Sequence, residues 1–331
     1  MDLDAFVTAH SGEWRRLQQL TRKPRRRLTP AEIDELVALH HRAATHLSTV
    51  RSQAPDPAVV ARLSQLVFAS RAALTPTRRL APADVARFFL VTFPGEVFRT
   101  ARWSLGVAAA FVALSGVRMA TVAADPGRFF AAPALQELVD HRFEDYYSTY
   151  QPQNFTVGVW TNNAYLAAIC LAGGILIFPV LLLLWYNAEN LGLVGGAMLG
   201  SGRGDLFFQL LLIHGLLELT AIFIAAGVGL RIGWAWIAPG ADWSRTEAVG
   251  ARGRAGMAVA LGLVPVLFVS ALVEAFITPA PWPIELRLAI GTLVWLGFVA
   301  YVWWFGAAAV RGGASSDVDR FDRPAAVPAS S

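Results

Sequence analysis

His214 and Glu218 stand four residues apart inside LFFQLLLIHGLLELTAIFIAAGVGL, a run with almost no other polar group. Four residues is about one helical turn, so the imidazole and the carboxylate share a face. That pair can pass a proton, hold a cation or tie helices together. Upstream, Asn162, Asn163, Asn187, Glu189 and Asn190 interrupt a second apolar stretch, NNAYLAAICLAGGILIFPVLLLLWYNAENLGLVGGAMLG. Such groups are costly in hydrocarbon and are rare there without a partner or a purpose. Asn187 and Asn190 also share a helix face. If a hairpin through residues 201–205 joins the two stretches, Asn190 lies roughly 15 Å in and Glu218 roughly 18 Å in, at ~1.5 Å per residue. The two would then meet at similar depth, and the seven residues form a candidate intramembrane polar cluster.

Three chemistries suit such a cluster: a buried network that fixes helix packing, a substrate or proton path, and a metal site. The metal reading has least behind it, because one His and two Glu are few ligands and no H-E-x-x-H is present. No metal ligand, catalytic residue or cofactor is therefore assigned. No convincing nucleophile exists, and the glycines between 192 and 204 do not match a phosphate-binding loop. The chain is not expected to be an enzyme or to use ATP by itself. Ser270 reads as a packing hydroxyl and Glu274 as a carboxylate reaching the surface near the end of a span. Gly192, Gly196 and Gly200, four apart, make a smooth strip against which another helix can lie closely, within this chain or in a dimer.

The elements that would position these groups are membrane helices. Of 331 residues, 55% are hydrophobic and 16% charged, against about 25% charged in soluble domains, and mean hydropathy is +0.46. The fold class expected is all-α: a polytopic helical membrane protein with about six transmembrane helices, five being the alternative, behind an N-terminal helical domain. Residues 1–102 hold 16 of the 28 Lys and Arg. Next to apolar spans, that excess marks the cytoplasmic side rather than nucleic-acid binding. The opening MDLDAFVTAHSGEW lacks the basic lead and apolar core of a cleavable signal. Cys170 is the single cysteine, so no internal disulfide is expected.

In residues 1–102, Phe6, Trp14, Leu17 and Leu20 recur at helical spacing, and the basic run at 22–27 breaks that helix and can touch anionic headgroups. Thr29-Pro30-Ala31-Glu32 is a capped helix start. Ala54-Pro55-Asp56-Pro57 ends that helix near Val50 and opens another to about Leu74. Residues 84–102 read as an interfacial helix. The membrane domain then occupies 103–306. Its first span is 103–123, with Arg118 snorkelling to the far interface. An external segment, 124–161, carries acids including Glu144 and Asp145 and belt aromatics including Tyr146, Tyr147, Tyr150, Phe155 and Trp160. Residues 162–200 are too many for one span and suit two helices turning near Phe178-Pro179. One span at 164–186 followed by a loop is the alternative. The arginines at 231, 245, 252 and 254 favour two, because two place that loop inside. Further spans at 206–230, 256–277 and 286–306 bring both termini inside. Residues 307–331 read as a disordered cytoplasmic tail.

Asn162-Asn163, the run Asn187 to Gly192 (N-A-E-N-L-G), His214-Gly215-Leu216-Leu217-Glu218 and Glu274-Ala275-Phe276-Ile277-Thr278-Pro279 resemble, in order and spacing, the stage II sporulation protein M family of bacterial integral membrane proteins. The resemblance covers about 6 to 310, with the Trp14 helix and the Phe93-Pro94 approach similar to the longer members. It implies a multi-pass protein of the cytoplasmic membrane. The family's namesake is a scaffold for peptidoglycan hydrolases during engulfment, and similar proteins of undefined role occur beside AAA-type ATPases and RDD-type membrane proteins. The expectation for this chain is a non-enzymatic scaffold that serves envelope remodelling, with the lipid bilayer, membrane or envelope proteins and further copies of itself as partners, and no nucleic acid. The alternative is a transporter or permease component that uses the Asn/Glu/His cluster.

Overall fold

The computed structural model describes residues 2–24, 27–74, 81–142 and 152–314, which fall into two compact units, Met1–Ala81 and Pro82–Ser331. No strand occurs among the described residues.

The first unit has three helices: α1 (Leu3–Arg22), α2 (Pro30–Gln53) and α3 (Pro57–Leu74). Asp2 caps α1 through Ala5 N at 3.2 Å. Thr29 and Glu32 form the reciprocal capping box that opens α2. Leu36 and Leu39 of α2 and Leu63 and Leu66 of α3 close on Trp14, Leu17 and Leu20 of α1, and Leu17, Leu20 and Leu63 are completely excluded from solvent. Polar groups fix the register around this core. Arg16 grips Glu35 with two hydrogen bonds, of 2.9 and 2.7 Å. Trp14 Nε1 donates to His46 Nδ1 at 3.2 Å, and His40 Nδ1 meets Ser70 Oγ at 2.8 Å. Arg25 and Arg26 of the basic run lie outside the described residues.

The second unit has six long helices among its described residues: α4 (Pro82–Ala124), α5 (Pro152–Gly173), α6 (Phe178–Gly200), α7 (Gly204–Ile237), α8 (Arg245–Leu272) and α9 (Ile284–Arg311). Five stretches are long and apolar enough to cross a membrane: Pro82–Ala124, Phe155–Leu176, Gly204–Ile237, Arg245–Ile277 and Ile284–Arg311. The sixth helix, α6, is 23 residues long but carries Asn187, Glu189 and Asn190 at its middle. It lies beside α4 and runs in the same direction, Gly192 against Arg118, Gly196 against Val122 and Gly200 against Pro126. The glycine strip therefore packs within the chain, and side chains there would collide with α4. α7 runs opposite to α4, with Gly227 on Ser104 and the Phe111 and Phe223 rings 5.1 Å apart. α5 and α6 are joined by a short turn, Gly174–Leu176, that ends on Ile177 at φ 60. A β-branched residue in that region is strained. The turn is held by the close approach of Gly174 to Gly229 and Gly233 of α7.

Three expectations need correction. The first unit ends at Ala81, not Arg102: α4 continues from Pro82 to Ala124, and Glu96 within it is buried. A π turn at Phe88–Thr92 precedes Pro94 and widens the helix where proline supplies no N–H, and the helix continues through it. Residues 155–161, expected outside, belong to α5, and Trp160 Nε1 donates to the Val264 carbonyl at 3.1 Å. The last helix runs to Arg311, five residues into the expected tail. Glu144, Asp145, Tyr146, Tyr147, Tyr150 and residues 315–331 lie outside the described residues.

Candidate functional site

α4, α5, α6 and α7 line a cavity of about 230 Å³ that carries Asn162, Asn163, Asn187, Asn190, His214 and Glu218 beside apolar residues such as Phe111, Leu166 and Ile222. Six of the seven candidate residues thus meet in one place. Helical spacing does most of this. His214 and Glu218 are one turn apart on α7, and Asn187 and Asn190 are three apart on α6. The hairpin through Ser201–Arg203 sets the two helices at matching depth.

Asn163 is buried and donates to the Glu218 carboxylate. Asn162 Nδ2 approaches Asn163 Oδ1 at 3.4 Å, and Asn187 Nδ2 donates to the Leu183 carbonyl of its own helix at 2.8 Å. Glu218 Oε2 is fully buried and has no hydrogen-bond partner.

Glu189 is not part of this cavity. It pairs with Arg118 Nε at 3.1 Å, and the Arg118 guanidinium sits 4.7 Å from the Phe129 ring centroid. Arg118 therefore has an acidic partner on α6. Glu189 is two residues from Asn187, and residues at that spacing face different ways on a helix.

Glu274, expected to reach a surface, is 4% exposed and lies 3.9 Å from His214 Nε2 through its Oε1. The cause is local. α8 ends in a π turn, Val273–Ile277, whose wider ring rotates Glu274 inward. Thr278, also fully buried, follows that turn and meets His214 Nδ1 through Oγ1 at 3.3 Å. Ser270 Oγ donates to the His214 backbone carbonyl at 3.3 Å and locks α8 to α7. In the sequence, Glu274 and Thr278 stand together in the run Glu274 to Pro279 that carries part of the family resemblance.

The arrangement defines a polytopic all-α membrane protein with a polar site between its helices. A family model described as Stage II sporulation protein M matches residues 104–279, and the chain belongs to that family. The match contains the whole cluster, Glu274 and Thr278 included. A second model, Domain of unknown function (DUF8413), matches residues 4–76, which is most of the first unit. No curated protein and no solved structure matches the chain.

Proposed function

We propose that this chain organises partner proteins at a bacterial cytoplasmic membrane, with its N-terminal unit inside the cell and a role in envelope remodelling. The family resemblance supports this reading, and so does the charge pattern. The end of α7 lies beside the early part of α4, where Trp103 and Trp234 are 5.9 Å apart. That end bears Arg231, with Arg245, Arg252 and Arg254 at the start of α8, and positive charge of this kind gathers on the cytoplasmic side.

One observation carries the proposal. Within the first unit, α1 and α3 leave a groove of about 340 Å³ lined by Trp14, Gln18, Thr21, Arg22, Arg62, Gln65, Leu66 and Ala69. Its base is apolar, and Arg62 lies 5.9 Å from the Trp14 ring centroid. An amphipathic helical segment with an acidic residue suits such a groove, apolar face down and carboxylate on the arginines. Cross-linking in native membranes tests it: Arg62→Glu should lose a partner that the unaltered chain captures, while membrane insertion is retained. An unchanged partner set would refute the groove as the docking surface.

The cavity favours a second reading. Four asparagines, a histidine and a carboxylate facing one intramembrane space suit a permease component that handles a small polar solute or an ion.

A further inference from the structure

We propose that His214, Glu218 and Glu274 form a binding site for one divalent first-row transition cation of the zinc class. The three side chains come from two helices, and one ligand atom of each lies within 4.8 Å of the other two. Tetrahedral ligands at about 2.0–2.2 Å from zinc sit about 3.4 Å apart, so small rotamer adjustments close the site around an ion. One imidazole and two carboxylates are donors such a cation accepts.

Four observations point to a cation rather than to a simple packing tie. First, the histidine is oriented. Thr278 Oγ1 donates to the Val273 carbonyl at 3.4 Å and so accepts from His214 Nδ1–H at 3.3 Å, which leaves the Nε2 lone pair directed toward Glu274. Outer-shell hydrogen bonds of this kind fix the tautomer of metal-bound histidines. Second, Glu218 is steadied through Asn163, while its buried Oε2 has no hydrogen-bond partner. Third, no Lys or Arg salt bridge to Glu218 or Glu274 occurs among the described residues. Two close carboxylates in an apolar interior repel each other unless a proton or cation intervenes, and a divalent ion balances both. Fourth, the π turn that brings Glu274 inward is a device found often at functional sites. His214 and Glu218 also line the cavity, so a three-ligand ion keeps an open position toward the asparagines.

The test is metal binding by the full chain in detergent, purified with a tag that contains no histidine. A second trio, His10, Glu13 and His46, brings ligand atoms within 4.8 Å in the first unit, so all measurements use a His10→Gln/His46→Gln background. The chain is stripped with chelator, loaded with Co²⁺ or Zn²⁺, passed through gel filtration and assayed by elemental analysis and visible absorption. About one equivalent should remain bound, with the intense d–d bands of low-coordinate Co²⁺, bleached by Zn²⁺. Glu274→Gln and His214→Gln should lose the bands while eluting as the parent does. Thr278→Val, which keeps every ligand, should weaken binding about 10- to 100-fold. If the ligand variants do not fold, the Thr278→Val shift and the parent spectrum decide. Less than a tenth of an equivalent in the parent, or binding unaffected by all three substitutions, would overturn the proposal.

Discussion

Gly196→Ala is a small substitution with a large expected effect. A Cβ on Gly196 would lie 2.5 Å from Val122 Cβ and 2.7 Å from the Met119 carbonyl oxygen, and the second atom belongs to a helical backbone that cannot swing aside. Relief requires α4 and α6 to separate along their contact. Overpacking of this kind costs about 1–3 kcal/mol, which for a unit of this size lowers the melting temperature by about 2–12 °C at about 2–4 °C per kcal/mol. Gly116→Ala is the matched control. It lies on α4 with nothing within 4 Å of an added Cβ, and alanine is favoured over glycine in a helix by about 0.5–1 kcal/mol. The assay is thermal unfolding in detergent, followed by loss of monodisperse protein on size exclusion. Gly196→Ala should melt lower than the unaltered chain and Gly116→Ala no lower. Equal melting of the two variants would refute the close α4–α6 packing.

Topology is checked by placing single cysteines, Arg245→Cys and Ser201→Cys, in a Cys170→Ala background. An impermeant thiol reagent added outside cells should reach 201 and not 245; the reverse would contradict the cytoplasmic placement of the α7–α8 loop. Glu218→Leu removes the acceptor for the Asn163 amide and should destabilise the fold by about 1–3 kcal/mol, Glu218→Gln by less. Identical melts for the two would argue against that hydrogen bond. The first unit should loosen in acid. Burial, with a smaller push from neighbouring positive groups, holds His40 and His46 below the usual histidine range. Their unfolded forms take up protons first as pH falls below about 6.5, so stability present above that value is lost beneath it. Hydrogen bonds from Lys23 to Glu32 and from Arg16 to Glu35 hold those carboxyls low, which adds a second loss below the usual carboxylate range. Hydrogen-exchange protection of Leu17 and Leu20, corrected for intrinsic rates, should fall between pH 7 and pH 5; constant protection would refute the histidine argument.

Much of this was legible because it depends on local rules. Thr29-Pro30-Ala31-Glu32 states a helix start in four residues, and Trp14, Leu17 and Leu20 state a buried face. The four-residue step from His214 to Glu218 puts both side chains on one face of any straight helix. What escaped depends on departures from that helix. Glu274 follows Leu272 into a π turn, so a period of about 3.6 misplaces it. Glu189 interrupts the same apolar stretch as its asparagine neighbours, but its face belongs to Arg118. The boundary at Ala81 was obscured because Phe88 to Thr92 are aromatic and apolar, as an interfacial helix would be. Which helix meets the glycine strip is a long-range matter that no spacing in 192–200 encodes.

The most direct test of an organising role is cross-linking and mass spectrometry of the full chain in its native membrane, with Arg62→Glu and Arg22→Glu beside it. The account predicts at least one protein partner cross-linked to α1 or α3 through an acidic segment, present with the unaltered chain and absent with both variants. Recovery of the chain with no partner at α1 or α3, or the same partner with all three, would contradict it.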